Sequence, residues 1–387
     1  MKKTLWSLYL LWSFANAQTA SIDLNGFEDS AHHWYDITDE TSKIIMPLPG
    51  KPRYTAGQVK EIADNILLYQ RSNGGWPKNY DMQAILTNDQ KEILLKNKND
   101  NSQTTFDNGA THAQLEYLAH AYAATKEDRY KSAFLHGIDF ISSAQYHNGG
   151  WPQFYPDTSR YRKYITFNDG AMAGIMELLY NVVYIKKDFD FIDDAQRRQI
   201  EFVFQKGIQC ILECQITVNG IPTVWCQQHD NIDLRPQHAR TFEPAALCSQ
   251  ESSELVLFLM KIKNPSHKII DAVNNAVAWF ERSAIHGMKV ETIKAEKTEF
   301  KYHTADFDKV VVEDLSAPPI WSRLYEIETN KPLFCNRDGH SVYSLAEVER
   351  ERRTGYGWYG YEPAKVLKKY AAWQKKWSPE KNVLESR

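Results

Sequence analysis

The sequence predicts an all-α protein: a closed or nearly closed ring of helical hairpins with long irregular loops gathered on one face. Three observations predict it. Apolar residues recur at helical spacing in four separate stretches, an aromatic glycine-rich motif repeats along the chain, and alternating strand patterns are few and short.

The helical spacing begins after Pro47, Pro49 and Pro52. Val59, Ile62, Ala63 and Ile66 fall at i, i+3, i+4 and i+7, one buried helical face. Leu115, Leu118, Ala119 and Tyr122 repeat the pattern, followed by Ile200, Val203, Phe204 and Ile208, then Ile270, Val273, Val277 and Phe280. Residues 18–50 show no such period and are assigned to an irregular N-terminal segment. Residues 51–387 form the ring domain.

The repeat organises these helices. Gln70 to Tyr80 reads QRSNGGWPKNY, and Gln145 to Tyr155 reads QYHNGGWPQFY. Glycines permit left-handed or crowded backbone, and proline ends the helix before it. TFDNGA (105–110) follows the first copy and TFNDGA (166–171) the second, each leading into an apolar helix. An Asp or Asn there can cap the first helical turn. A weaker third copy runs from Cys214 to Trp225, with Thr241-Phe242-Glu243-Pro244 before the run Glu251–Met260. Each hairpin then buries its apolar stripe against its neighbours. From about 286 to 360 the period fades, and the stretch reads as a long irregular segment folded back over the ring. Its aromatic content argues against disorder.

Lys2 and Lys3, an apolar run from Leu5 to Phe14, and Ala15-Asn16-Ala17 have the order of a secretory leader, so residues 1–17 are expected to be removed and the protein to act outside the cytoplasm, secreted or periplasmic. No membrane anchor is expected. Losing the leader's two lysines takes the net charge from -3 to -5, which argues against a nucleic-acid partner. The five cysteines, Cys210, Cys214, Cys226, Cys248 and Cys335, form no zinc-type set and are expected to be structural.

Two groups of residues look chemical. Asp107 and Asp169 sit just before helix starts. Capping explains one such Asp but not the neighbouring Asn108 and Asn168, and carboxylate and amide oxygens from facing loops suit calcium. The second group interleaves arginines with aromatics: Arg240, Arg323, Tyr325, Arg337, Arg352, Arg353, Tyr356 and Trp358. Guanidinium forks grip carboxylates while aromatic faces stack on sugar rings.

The motifs GGWPKN (74–79), TFDNGATHAQ (105–114), NGGWPQFYP (148–156), ITFNDGAM (165–172), WCQQHD (225–230), ARTFEP (239–244) and NRDG (336–339) resemble polysaccharide lyase family 10, the pectate lyases, in family order over roughly residues 50–365. The resemblance implies an (α/α)3 toroid, an incomplete α/α barrel. It also implies calcium-assisted anti β-elimination on polygalacturonate by a monomer, leaving 4,5-unsaturated oligogalacturonides. In that reaction a base takes the C5 proton of a uronate, and calcium on the adjacent carboxylate stabilises the enolate-like intermediate. By the match, Arg337 is the base and Asp107 shares the catalytic centre. Asp169, with Asp107, holds the metal. Arg240 and Arg323 grip substrate carboxylates, and Lys78, Asn108, His229 and Tyr325 are further substrate contacts. Arginine is an unusual base, since its pKa ordinarily exceeds about 12. Gly170 departs from the Asn of some members but leaves Asp169 in place. From the residues alone two alternatives stay open. One is a helical-barrel glycoside hydrolase using Asp107 and Asp169 as its carboxylate pair. The other is a non-catalytic carbohydrate-binding protein.

Overall fold

The computed structural model describes residues 22–37 and 43–384, so the expected leader lies outside the described residues. A helix, α1 (Glu28–Asp36), stands where an irregular segment was expected. Its Trp34 is buried in the main core and donates to Ile45 O at 2.8 Å. One tryptophan and two small residues anchor this helix, too few for a readable period.

The ring is built from α2 (Val59–Tyr69), α3 (Asn88–Lys96), α4 (His112–Thr125), α5 (Asp128–Ala144), α6 (Ala171–Tyr180), α7 (Asp194–Glu213), α8 (Ser249–Lys261), α9 (His267–Arg282) and, after the short α10 (Arg350–Gly355), α11 (Glu362–Trp377). Three hairpins, α4/α5, α6/α7 and α8/α9, stand in two layers. The inner run passes from α2 through α4 and α6 to α8. The outer run passes from α5 through α7 to α9, and α11 closes against α8 and α9. The result is the (α/α)3 toroid that the repeats and the resemblance lead one to expect. The stripes at Val59/Ile62/Ala63/Ile66 and Leu115/Leu118/Ala119 are all buried.

The repeat has a physical job. After α2, α5 and α7 a tryptophan turns back and donates its indole N–H to that helix's last turn: Trp76 to Ile66 O, Trp151 to Ile141 O (both 2.8 Å) and Trp225 to Ile211 O (2.7 Å). The glutamine opening each copy ties the loop to the next outer helix. Gln70 donates to Gly74 O and Ala133 O, Gln145 to Gly149 O and Val203 O, and Gln215 to Thr223 O and Ala272 O. Each such buried bond is worth about 1 kcal/mol. Gly74 and Gly149 sit at φ +92°, and a Cβ there would lie 2.2 and 2.0 Å from the carbonyl oxygens of His136 and Lys206. Only glycine fits.

A fourth copy was not visible in the sequence. Trp321 donates to Phe280 O of α9 at 2.8 Å, but 41 residues separate them. Between them, paired backbone at Ile285 and Ile320 closes the base of a long hairpin, Met288–Glu299 against Thr304–Glu313. This corrects the expectation of an irregular segment with few strands. Both hairpin faces are largely exposed, so the apolar-polar alternation that marks a half-buried strand is missing. The remaining loop residues build short strand pairs and a second small core around Leu324, Phe334 and Trp358. All five cysteines are free and buried, with Cys210 and Cys214 Sγ atoms 4.0 Å apart.

Candidate active site

The site starts from the two repeated turns. Asp107–Gly109 and Asn168–Gly170 each form a single tight turn, and the two turns lie side by side. Asn108 and Asp169 occupy equivalent left-handed positions, φ 51° and 50°, a conformation that Asn and Asp tolerate. Gly170 follows at φ +67°, where a glycine is at ease. The helices behind them, α4 and α6, begin at Thr111 and Gly170 with no side-chain cap. Asp107 and Asp169 are therefore not helix caps, and the capping expectation is corrected.

Asp107 is buried and paired with Lys78, while its Oδ1 is enclosed without a hydrogen-bond donor. Burial pushes its carboxyl up, but the Lys78 ammonium, the nearby Gln153 amide and Arg240 outweigh it and hold it below the usual range. Asp169 behaves oppositely. Burial at the cleft floor, with Asp107 beside it and Glu251 beyond, pushes its carboxyl up to about 7 against the pull of Arg323. Its side chain keeps 36% of its surface open. Asn108 donates to Asn79 Oδ1 at 3.2 Å.

Above this floor Arg323 donates to Glu251 Oε1 through Nε (3.0 Å) and Nη2 (2.5 Å), and to Asn168 Oδ1 (3.1 Å). Gln227 links Asn168 Oδ1, Glu251 Oε1 and Tyr356 Oη. Two further arginines use the same edge of the guanidinium. Arg240 pairs through Nε and Nη2 with the buried Glu243, and Arg337 does so with Glu351 at 3.1 and 2.5 Å. Aromatic rings fill the spaces between. The guanidiniums of Arg240, Arg337 and Arg352 lie 4.9, 4.3 and 4.5 Å from the Phe242 centroid, and those of Arg323 and Arg352 each lie 4.6 Å from Tyr356.

The donor set fits a hard cation. Asp107 Oδ1 and Glu251 Oε2 are enclosed without partners, the Asp169 carboxyl is pushed up despite Arg323, and the groups that could ligate are carboxylate and amide oxygens. Among the described residues no three His, Cys, Asp or Glu side chains are gathered as a metal set. A cation held by Asp169 and Asp107 would take further oxygens from a bound ligand.

Of the residues nominated from sequence, Lys78, Asp107, Asn108, Asp169, Arg240 and Arg323 meet at this floor, and Arg337 joins through Phe242. His229 and Tyr325 do not reach it. His229 is fully enclosed, with Nε2 accepting from Cys226 N at 3.1 Å and Nδ1 donating to Leu234 O at 2.8 Å. Tyr325 is 1% exposed, donates to Ser283 O and accepts from Ser322 N. Both expected substrate contacts are corrected to structural roles, because every polar atom of the two side chains is already engaged. Sequence reasoning missed the glutamates. Glu251, at the start of α8, resembles an ordinary first-turn acid. Glu254, one turn on, is pushed up to about 8 by burial, Glu251 and Asp169. Glu243 and Glu351 adjoin arginine-rich motifs, which was the available signal.

Residues 70–367 match the family model described as pectic acid lyase. Among solved structures, a family 10 polysaccharide lyase from Cellvibrio cellulosa is 30% identical with TM-score 0.70, covering 85% of this chain and 98% of that one. An Asp-to-Ala mutant from the same organism, in complex with trigalacturonic acid, is 31% identical with TM-score 0.71, covering 81% and 92%. No curated protein matches at a comparable level.

Proposed function

Since the chain belongs to the pectic acid lyases, family 10 of the polysaccharide lyases, we propose that it cleaves polygalacturonate by calcium-assisted anti β-elimination and leaves 4,5-unsaturated ends. The observation behind this reading is the apposition of two acidic turns, Asp107 and Asp169, with a wall of arginines, of which Arg323 and Arg240 are each set on a buried carboxylate. A glycoside hydrolase needs the carboxylate pair but not the wall.

Calcium at Asp169 and Asp107, shared with a uronate carboxylate, would neutralise that carboxylate and acidify the C5 proton. The chain's own groups do the rest. Arg323, fixed by Glu251 and Asn168, orients an anionic sugar beside Asp169. Lys78 keeps Asp107 ionised. Proton removal we assign to Arg240. The resemblance gives that role to Arg337, but Arg240 is the arginine coupled to Asp107, whereas the charged neighbours of Arg337 are Glu351, His303 and Arg352. In the ligand-free protein burial works against Arg240's charge, and Glu243, with Asp107 behind it, outweighs that and keeps it protonated. With a cation on Asp107 that part of the hold is cancelled, and Arg240 gives a proton to solvent before acting as the base. When the C5–H bond breaks, the proton passes to the neutral Arg240, the bond's electrons form the C4–C5 double bond, and the C4–O4 bond gives way with O4 taking a proton from solvent.

The leader-like order of residues 1–17 supports action outside the cytoplasm, and N-terminal sequencing should find mature protein starting at Gln18. The activity is tested by mixing protein, polygalacturonate and calcium and following ultraviolet absorbance of unsaturated ends. Absorbance that rises and is abolished by chelator is expected. New reducing ends without absorbance would overturn the lyase reading in favour of a hydrolase.

A further inference from the structure

Four arginines share the Phe242 and Tyr356 rings, and only three have a carboxylate. Arg240 has Glu243, Arg323 has Glu251 and Arg337 has Glu351. Arg352, on α10, is 4% exposed and has no hydrogen-bond acceptor for its guanidinium. Phe242, Tyr356 and Trp358 surround it at 4.5, 4.6 and 5.2 Å. Its Nε and Nη2 are enclosed and orphaned, which leaves Nη1 as the nitrogen neither enclosed nor bonded. A buried guanidinium with no hydrogen-bonded acceptor is costly and calls for an explanation, of which a ligand is one. Burial, Arg337 and Arg240 work against its charge and outweigh the favourable fields of Tyr356 and the more distant Glu243.

We propose that Arg352 is a further carboxylate-binding residue, whose unmatched guanidinium takes one uronate carboxylate of the bound chain at a subsite walled by Phe242 and Tyr356. This rests on the pectate-lyase reading and adds to it. The sugar's carboxylate accepts from Nη1, the open nitrogen, whereas the other three arginines hold a glutamate on the Nε and Nη2 edge. A methyl ester at that position brings no charge, so Arg352 selects for the free acid.

The competing role is a purely structural pillar, a cation stacked among aromatic rings. The two differ in the ligand-free protein. Arg352→Met removes a buried charge that has no hydrogen-bonded acceptor while keeping apolar bulk, so a ligand-binding role predicts a ligand-free melting temperature equal to or above wild type. The dissociation constant for trigalacturonate, measured by calorimetry with calcium present, should then rise about ten- to a hundred-fold. The preference for trigalacturonate over its methyl ester should shrink with it. Arg352→Lys, which keeps the charge but not the planar guanidinium held between the rings, should fall between. A lowered melting temperature with wild-type affinity in the folded fraction overturns the proposal, as does unchanged affinity in a stable R352M. If R352M does not fold, wild-type affinity and ester discrimination in R352K overturn it. Should wild-type protein neither bind trigalacturonate nor release unsaturated ends, the pectate-lyase reading itself fails and the subsite fails with it.

Discussion

Glu251→Gln is the most informative single change at the floor of the site. Glu251 is 1% exposed and accepts both Nε and Nη2 of Arg323, whose side chain is 10% exposed. Removing one member of a buried pair typically costs about 3–5 kcal/mol, because the other charge is left without a partner. Glutamine keeps the shape and one acceptor oxygen, so the lower end, about 3 kcal/mol, is expected. The second consequence falls on Asp169. Glu251 is one of the charges pushing Asp169 up, and Arg323 Nη2, 3.8 Å from Asp169, is freed to oppose them. The Asp169 carboxyl should therefore drop from about 7, and the acidic limb of the activity profile should move to lower pH. Urea unfolding in chelator reads the first effect and a pH–rate profile the second. Stability within about 0.5 kcal/mol of wild type, the range of ordinary surface changes, would refute the view that Glu251 holds Arg323.

Three other predictions follow from the geometry. Arg240→Ala should lower kcat by about 10²–10⁴, the usual range for a lost proton-transfer group, while Arg337→Ala should mainly raise KM; the reverse pattern returns the base to Arg337. Asp169→Asn should abolish calcium-dependent turnover. Because the Asp169 carboxyl is raised in the folded protein, its ionisation costs stability that is fully felt above about pH 7 and absent below the ordinary carboxylate range. Chelated D169N should thus unfold at higher urea than wild type at pH 8 and at the same urea at pH 3.5, and equal midpoints at pH 8 would contradict the assigned shift. Gly149→Ala forces a side chain to φ +92° within 2.0 Å of Lys206 O and should cost about 3 kcal/mol or more, read from urea midpoints.

The ring was legible because its signals are local. A helical face repeats every turn, and the Gln…Gly-Gly-Trp-Pro loops recur almost letter for letter, so Trp76 and Trp151 could be matched by eye. Trp225 was harder because its loop lost the paired glycines, and Trp321 was hidden by the hairpin between it and α9. The acidic turns were found, but not the reason that they are free of capping, since a left-handed Asn108 or Asp169 leaves no trace in residue identity. His229 and Tyr325 were misplaced because a polar, aromatic loop reads the same whether its side chains face a ligand or the interior. Glu251, which seats Arg323, was invisible for the converse reason. A carboxylate at a helix start resembles a solvated one until the fold brings an arginine from more than 70 residues away, as it does for Glu251 and Arg323.

The hairpin at 288–313 leaves the ring through two backbone bonds, Ile285 to Ile320 and back, at 2.8 and 3.0 Å. Its own strands bond to each other, and the ring beneath keeps its tryptophan staple with or without them. Along its length the hairpin is also tied to α10, where Arg350 donates to Glu296 O, Ala305 O and Phe307 O and Arg353 pairs with Asp308. The appendage is not idle, because Tyr302 at its tip lies 4.8 Å from the Arg337 guanidinium and His303 bonds Thr354 at 2.9 Å. The arm thereby braces the rim that carries Glu351 and Arg352, so a change in the hairpin reaches Arg337 through α10, while the floor at Asp107 and Asp169 stands on the inner helices of the toroid.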